Sequence, residues 1–365
     1  MGQEVKKTKR IVSIQVCRGL AALLVVLAHL DNIETKYCST HLMRLFQHGV
    51  MGVDLFFVIS GIVISVVTVG KFGSVQNAFT FLHHRIARIY PIYWIYTTIV
   101  LAAFLYNPMW INAGSGHKVD ILQSYLLIPT HVSFLVMQGW TLSYEVYFYL
   151  IFFLLMLLFP ARAAGWVLAA WGVAIVSLNL WLGESHNPLV GLATDPLVLE
   201  FLAGCVIFHI YRRARLHRIA GILLISVAVL WITGVIVYNM HVHGGDVKLI
   251  ENHPWLRSSL YGTFASFLLL GAMEMERSGF VRYFHFLEAI GDWSYSIYLS
   301  HLMVLELVGR IMFRFARNWH YSILLIDAVC IPTALLVGYL SYVFLEKPLM
   351  ALLYKSSKPK LHQPA

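Results

Sequence analysis

Residues 12–30 read VSIQVCRGLAALLVVLAHL. A helix needs about 20 mostly apolar residues to cross a hydrocarbon core, and this stretch has that length. Lys6, Lys7, Lys9 and Arg10 precede it. No small-residue cleavage site follows, so the run is expected to stay as an uncleaved first span. Comparable runs recur at about 50–70, 89–106, 141–160, 164–182, 194–211, 219–238, 257–273, 290–313 and 322–345. The pattern predicts an all-α polytopic membrane protein with about ten transmembrane helices. The sixth run is the weakest, because Asp195 and Glu200 interrupt it. Asp120–Pro129 is too short to span and is expected to lie at the interface.

Composition agrees. Of 365 residues, 59% are hydrophobic and 12% charged, against about 25% charged in ordinary soluble domains. A soluble core has no room for so much apolar surface, and the bilayer is the fitting solvent. The net charge of +9 reads as a topology signal rather than a nucleic-acid surface. With the amino terminus inside, 18 of the 27 Lys and Arg fall in inner segments and 7 in outer ones. Arg18 and Arg310 lie within spans. That bias predicts both termini in the cytoplasm. The expected organisation is a basic amino-terminal segment (1–11), one membrane domain (12–349) and a short basic tail (350–365). Cys17, Cys38, Cys205 and Cys330 show neither paired nor zinc-ligand spacing, and no metal is expected.

Ionisable residues inside spans cost roughly 2.5–3.5 kcal/mol each on insertion scales, so each is a functional candidate. Arg18 and His29 are separated by about three turns, roughly 16 Å along one helix face. They line either a polar cavity across the membrane or the two interfaces, where Arg18 snorkels and His29 caps. Asp54 opens the second span and Glu145 the fourth, both from the outer side. Either carboxylate is a candidate to orient His29, although Asp54 also suits a helix amino terminus. Ser143 and Glu145 fit a helix start. Arg85 and Arg88 are one turn apart and share a face. Two guanidinium forks suit a phosphate or pyrophosphate, and they equally suit an inner flank. In the ninth span, Ser294, Tyr295 and Ser296 suit hydrogen bonding between helices, and His301 is a candidate to line the His29 cavity. Pro348 is expected to stop the last helix.

In this order the signals resemble the acyltransferase 3 family of integral membrane proteins, from about Val12 to Leu349. The resemblance rests on Arg18 with His29, Gly52-Val-Asp54-Leu-Phe-Phe-Val-Ile-Ser60-Gly61, Arg85-Ile-Ala-Arg88-Ile-Tyr90-Pro91, Ser143-Tyr-Glu145-Val-Tyr-Phe148-Tyr149, and Ser294-Tyr295-Ser296-Ile-Tyr298-Leu with His301. It implies a ten-span enzyme of a bacterial inner membrane that moves an acyl group, usually acetyl from acetyl-CoA, onto a hydroxyl. The implied acceptors are sugars of surface polysaccharides, lipopolysaccharides or lipid-linked glycans. The chain is similar to the stand-alone exopolysaccharide and nodulation-factor O-acetyltransferases, which lack an added hydrolase-like domain.

The expected roles follow from that resemblance. Arg85 and Arg88 hold CoA phosphates, and Arg18 holds a phosphate or the thioester oxyanion. His29 is the general base or a transient acyl carrier, oriented by Asp54 or Glu145. Ser143, Tyr149, Ser294, Tyr295 and His301 are expected to contact substrate. The rival readings are a multispan transporter or flippase, and an acyltransferase for a lipid or another non-glycan hydroxyl.

Overall fold

The computed structural model describes residues 10–38, 44–111, 116–183, 185–280, 284–316 and 323–355. Lys6, Lys7 and Lys9, and the cations Arg282, Arg317, Lys358 and Lys360 counted in the charge bias, lie outside the described residues. Helix α1 spans Val12–Cys38, and a 3-10 turn at Arg44–Val50 leads into α2, Met51–Thr68. Helix α3 runs Val75–Tyr106, with Ser74 capping its first turn. After the short α4 (Ile121–Leu126) come α5 (Gly139–Leu158) and α6 (Ala161–Leu182). The short α7 (Pro188–Thr194) precedes α8 (Val198–Arg213) and α9 (Arg218–His243). Two single turns, α10 (Lys248–Glu251) and α11 (Pro254–Arg257), pass through a π turn at Ser258–Gly262 into α12 (Thr263–Arg277). Helix α13 spans His285–Ala316 and α14 Ile323–Ser341. A second π turn, Tyr342–Glu346, joins α14 to α15, Lys347–Lys355.

The fold is all-α, with one isolated bridge between Val119 and Ser133 among the described residues. Nine helices in the described residues are long and apolar enough to cross a membrane. The expected tenth, at 257–273, does not qualify. Arg257, Ser258, Tyr261 and Ser266 lower its hydropathy, and the first three bond to side chains of other segments. Arg257 pairs with Asp54, Ser258 with Glu200, and Tyr261 with His48. The last helix also departs from expectation. Pro348 directly follows the π turn Tyr342–Glu346 in a helical run that is unbroken from α14, and helix continues past it to Lys355.

Lipid gives helices little hydrophobic reason to associate, so small residues and hydrogen bonds carry the packing. Helices α1 and α13 touch backbone to backbone. A Cβ on Gly291 would sit 2.0 Å from the Gln15 carbonyl oxygen, and one on Gly19 would sit 2.1 Å from that of Leu287. Helices α2 and α8 meet the same way at Gly61 and Gly204. Between them, Phe201 stacks on Phe57 and abuts Phe148, each at 4.6 Å between ring centroids. The short α4 is held from α3. Tyr93 Oη donates to the Ser124 carbonyl at 2.8 Å, and Trp94 Nε1 to that of Tyr125 at 2.9 Å.

Candidate active site

Helices α1, α2, α3, α5 and α13 enclose a cavity of about 170 Å³ that Arg18, Arg85 and Arg88 line together. Both α3 arginines are helical, because α3 begins at Val75, ahead of the expected span. Their three-residue spacing therefore presents both to one side. Arg85 lies over the rings of Phe81 and Tyr149, about 6 Å from each centroid. Glu145 and Tyr149 line the cavity from α5, and Ser294 and Tyr295 from α13. Tyr149 Oη donates to Glu145 Oε1, and Ser60 Oγ donates to the same oxygen at 3.2 Å. Tyr295 Oη donates to the Ile89 carbonyl at 2.8 Å, tying α13 to α3 beside Arg88.

The charges do not cancel by contact. Arg18 and Arg88 feel the fields of Glu145 and Glu346. Glu346 is itself held by Ser296 Oγ at 2.6 Å. Among the described residues none of the three arginines forms an ion pair within 4.0 Å. Arg18 Nη1 donates to Gln15 Oε1 at 3.3 Å, a long bond. The Nε of Arg85 is buried with no acceptor. All three arginines are half-buried, and three guanidinium groups without a carboxylate in contact have the chemistry to bind an anion.

His29 does not line this cavity. It lies farther along α1, against His301 of α13, with ring centroids 5.0 Å apart and planes at 69°. His29 Nδ1 bonds the Val25 carbonyl at 2.8 Å, and His301 Nδ1 bonds the Tyr298 carbonyl at 2.7 Å. A carbonyl oxygen only accepts, so each Nδ1 carries a proton, and in the neutral ring each Nε2 keeps its lone pair. Tyr298 joins the two regions. Its side chain lines the arginine cavity, and its ring lies 5.9 Å from that of His301.

The expected outer cluster of His29 with Asp54 and Glu145 is not formed. Glu145 faces the arginines. Asp54, in the first turn of α2, accepts two bonds of 2.9 Å from Arg257 Nε and Nη2. Both partners are buried, at 0% and 4% exposure. The carboxylate is thus committed to a guanidinium and leaves the imidazole to its backbone carbonyl. Ser143 is buried too, and its Oγ donates to the Gly139 carbonyl of its own helix at 3.1 Å. Sequence reasoning missed Arg257 and Tyr298. Arg257 counts among the seven outer cations at the edge of the run at 257–273, and nothing local to it announces Asp54. Tyr298 lay inside a quoted motif, but its position facing both regions depends on how α13 is rotated.

A helical membrane protein with an arginine-lined cavity and an adjoining pair of imidazoles defines the class. The particular family follows from comparison with known proteins. Residues 11–343 match the acyltransferase domain family, and the chain belongs to it. It is 26% identical over 319 residues to the exopolysaccharide production protein ExoZ of Rhizobium meliloti, covering 84% of this chain and 90% of that one. It is 24% identical over 376 residues to the acyltransferase MdmB of Streptomyces mycarofaciens, covering 94% and 92%. It is 24% identical over 323 residues to the O-acetyltransferase OatA of Staphylococcus aureus, covering 80% of this chain and 50% of that protein. No solved structure matches. No group of three or more His, Cys, Asp or Glu suited to a metal occurs among the described residues.

Proposed function

We propose that this protein is a membrane O-acyltransferase. It transfers acetyl from acetyl-CoA to a sugar hydroxyl of a bacterial surface polysaccharide, lipopolysaccharide or lipid-linked glycan. The observation that carries this reading is the set of three arginines, unpaired by carboxylates, that line one cavity, with Arg18 on the same helix as His29. Phosphate oxygens of CoA supply the missing acceptors for Arg85 and Arg88. Arg18, deeper on α1, faces the thioester end or a phosphate. The cavity's 170 Å³ suits a slender phosphate-bearing arm rather than a whole nucleotide, so the adenosine stays outside it. The pantetheine arm then points along α1 toward His29, which handles the acceptor hydroxyl proton or the acyl group. Tyr149, Ser294 and Tyr295, which line the cavity, contact the donor. The names of the exopolysaccharide protein and the O-acetyltransferase among its relatives support a glycan acceptor.

The same reading places the protein in a bacterial inner membrane with both termini in the cytoplasm. The bias of Lys and Arg favours ten crossings. The helical path from Pro254 to Arg277, about 36 Å at 1.5 Å per residue, is long enough for the tenth.

Mass spectrometry of surface glycans from cells making the wild type or His29→Ala, at matched protein levels, tests the function. A base-labile acyl ester present with the wild type and absent with His29→Ala is expected. No ester in either sample would favour a transporter or a non-glycan acceptor. Equal ester in both would remove His29 from the reaction.

A further inference from the structure

His301 is fully buried, and its Nε2 has no hydrogen-bond partner. A buried acceptor left empty is expensive, and such exceptions call for a reason. This one stands against the ring of the imidazole proposed to react. No hydrogen bond to Nε2 of His29 is found among the described residues, and no carboxylate bonds that ring. The usual arrangement for a single general base, an imidazole steadied by an acidic partner, is therefore missing. In its place are two imidazoles of the same tautomer, each with its lone pair available.

The pair is also held in place. Glycine contacts fix α1 against α13 on the inner side of the histidines, at Gly19 and Gly291. On the outer side Gly309 packs against Ile33 and Tyr37. The Tyr298 carbonyl that orients His301 also accepts from Gln138 Nε2 at 3.1 Å, and Tyr298 Oη bonds Thr141 Oγ1 at 2.6 Å.

We infer that the two histidines divide an acyl relay, with His29 as the nucleophile that carries the acyl group and His301 as the base that activates the acceptor hydroxyl. This rests on the acetyl-CoA reading above. Nε2 of His29 attacks the thioester carbonyl carbon, forming a C–N bond as the C–S bond breaks. CoA leaves as the thiolate and takes a proton from water. The acylated ring keeps its Nδ1 hydrogen bond to Val25. The acceptor oxygen then attacks the acyl carbon and passes its proton to Nε2 of His301. The C–N bond breaks, its electron pair returns to His29, and His301 returns the proton to water. The relay places donor and acceptor in succession at one imidazole, so the arginine cavity need not hold both.

The test is isotope exchange between acetyl-CoA and labelled CoA, without acceptor, using the full chain purified into glycan-free lipid nanodiscs. A reversible covalent acyl-enzyme passes label into acetyl-CoA, and direct transfer does not. The wild type and His301→Gln are expected to exchange, and His29→Ala is not. In cells, His301→Gln is expected to lose the glycan ester by at least about 100-fold, within the usual range for a general base. Exchange by His301→Gln itself certifies a folded, donor-competent protein, and His301→Asn serves if that variant is not recovered. Absence of exchange from a wild type that still makes the ester overturns the relay while leaving the acetyl-CoA reading intact. Loss of exchange in folded His301→Gln, or an undiminished ester, overturns the division of labour. Absence of both exchange and ester in the wild type instead overturns the donor reading itself.

Discussion

Asp54 and Arg257 show how a side chain's role depends on what it faces. A carboxylate near the start of a span invites a catalytic assignment, but its two oxygens are taken by one buried guanidinium. Removing one partner of such a pair leaves the other charged, buried and alone, at about 3–5 kcal/mol. Asp54→Ala is therefore expected to lower thermal stability in detergent sharply. Asp54→Leu combined with Arg257→Leu should recover most of that loss. An Asp54 variant of normal stability but no activity would restore the carboxylate to the chemistry. Arg85 and Arg88 call for a different measurement. On the proposed donor-binding role each supplies charge-assisted bonds worth about 1.5–3 kcal/mol, so Arg85→Ala and Arg88→Ala should each raise the KM for acetyl-CoA by about 10- to 100-fold. Lysine should restore only part of this, because a point charge cannot reproduce the fork. An unchanged KM would remove the arginines from donor binding.

Among the helices, the contact that matters most is α1 against α13. It brings Arg18 and His29 on one helix to Ser294, Tyr295 and His301 on the other. No side chain fits between the backbones at Gly291. Gly291→Leu is expected to push the helices apart, separate the imidazoles and abolish ester formation with a lower melting temperature. Gly234 on α9 is the control. A Cβ there meets nothing within 4 Å, so Gly234→Leu should leave both readouts near wild type. Equal damage from the two substitutions would mean that the α1–α13 contact has no special part. The span at 257–273 makes a related point. Its polar residues lower its hydropathy, and the partners that satisfy them, on α2, α8 and the Arg44–Val50 turn, are remote in sequence.

Across the whole molecule, the prediction concerns sidedness. Reporter fusions at the two ends should both report the cytoplasm if the Pro254–Arg277 path crosses the bilayer. Reporters on opposite sides would mean nine crossings, with that path folded back within the protein. Either result bears on how the acceptor reaches His29, since one extra crossing reverses the side on which every later loop lies.

Membrane residence, the order of the spans, the family and the identity of the polar residues inside the apolar runs were all legible in the linear chain. Each depends on hydrophobic length, local spacing or short motifs, which need no knowledge of neighbours. The pairing of Arg85 with Arg88 was legible for the same reason, since one helical turn sets it. Which helices those residues face was not. Asp54 went to Arg257 and Glu145 to the arginine cavity because glycine contacts and aromatic packing set how each helix is rotated and how closely it approaches. Those are properties of pairs of helices far apart in sequence, and only their packing decides them.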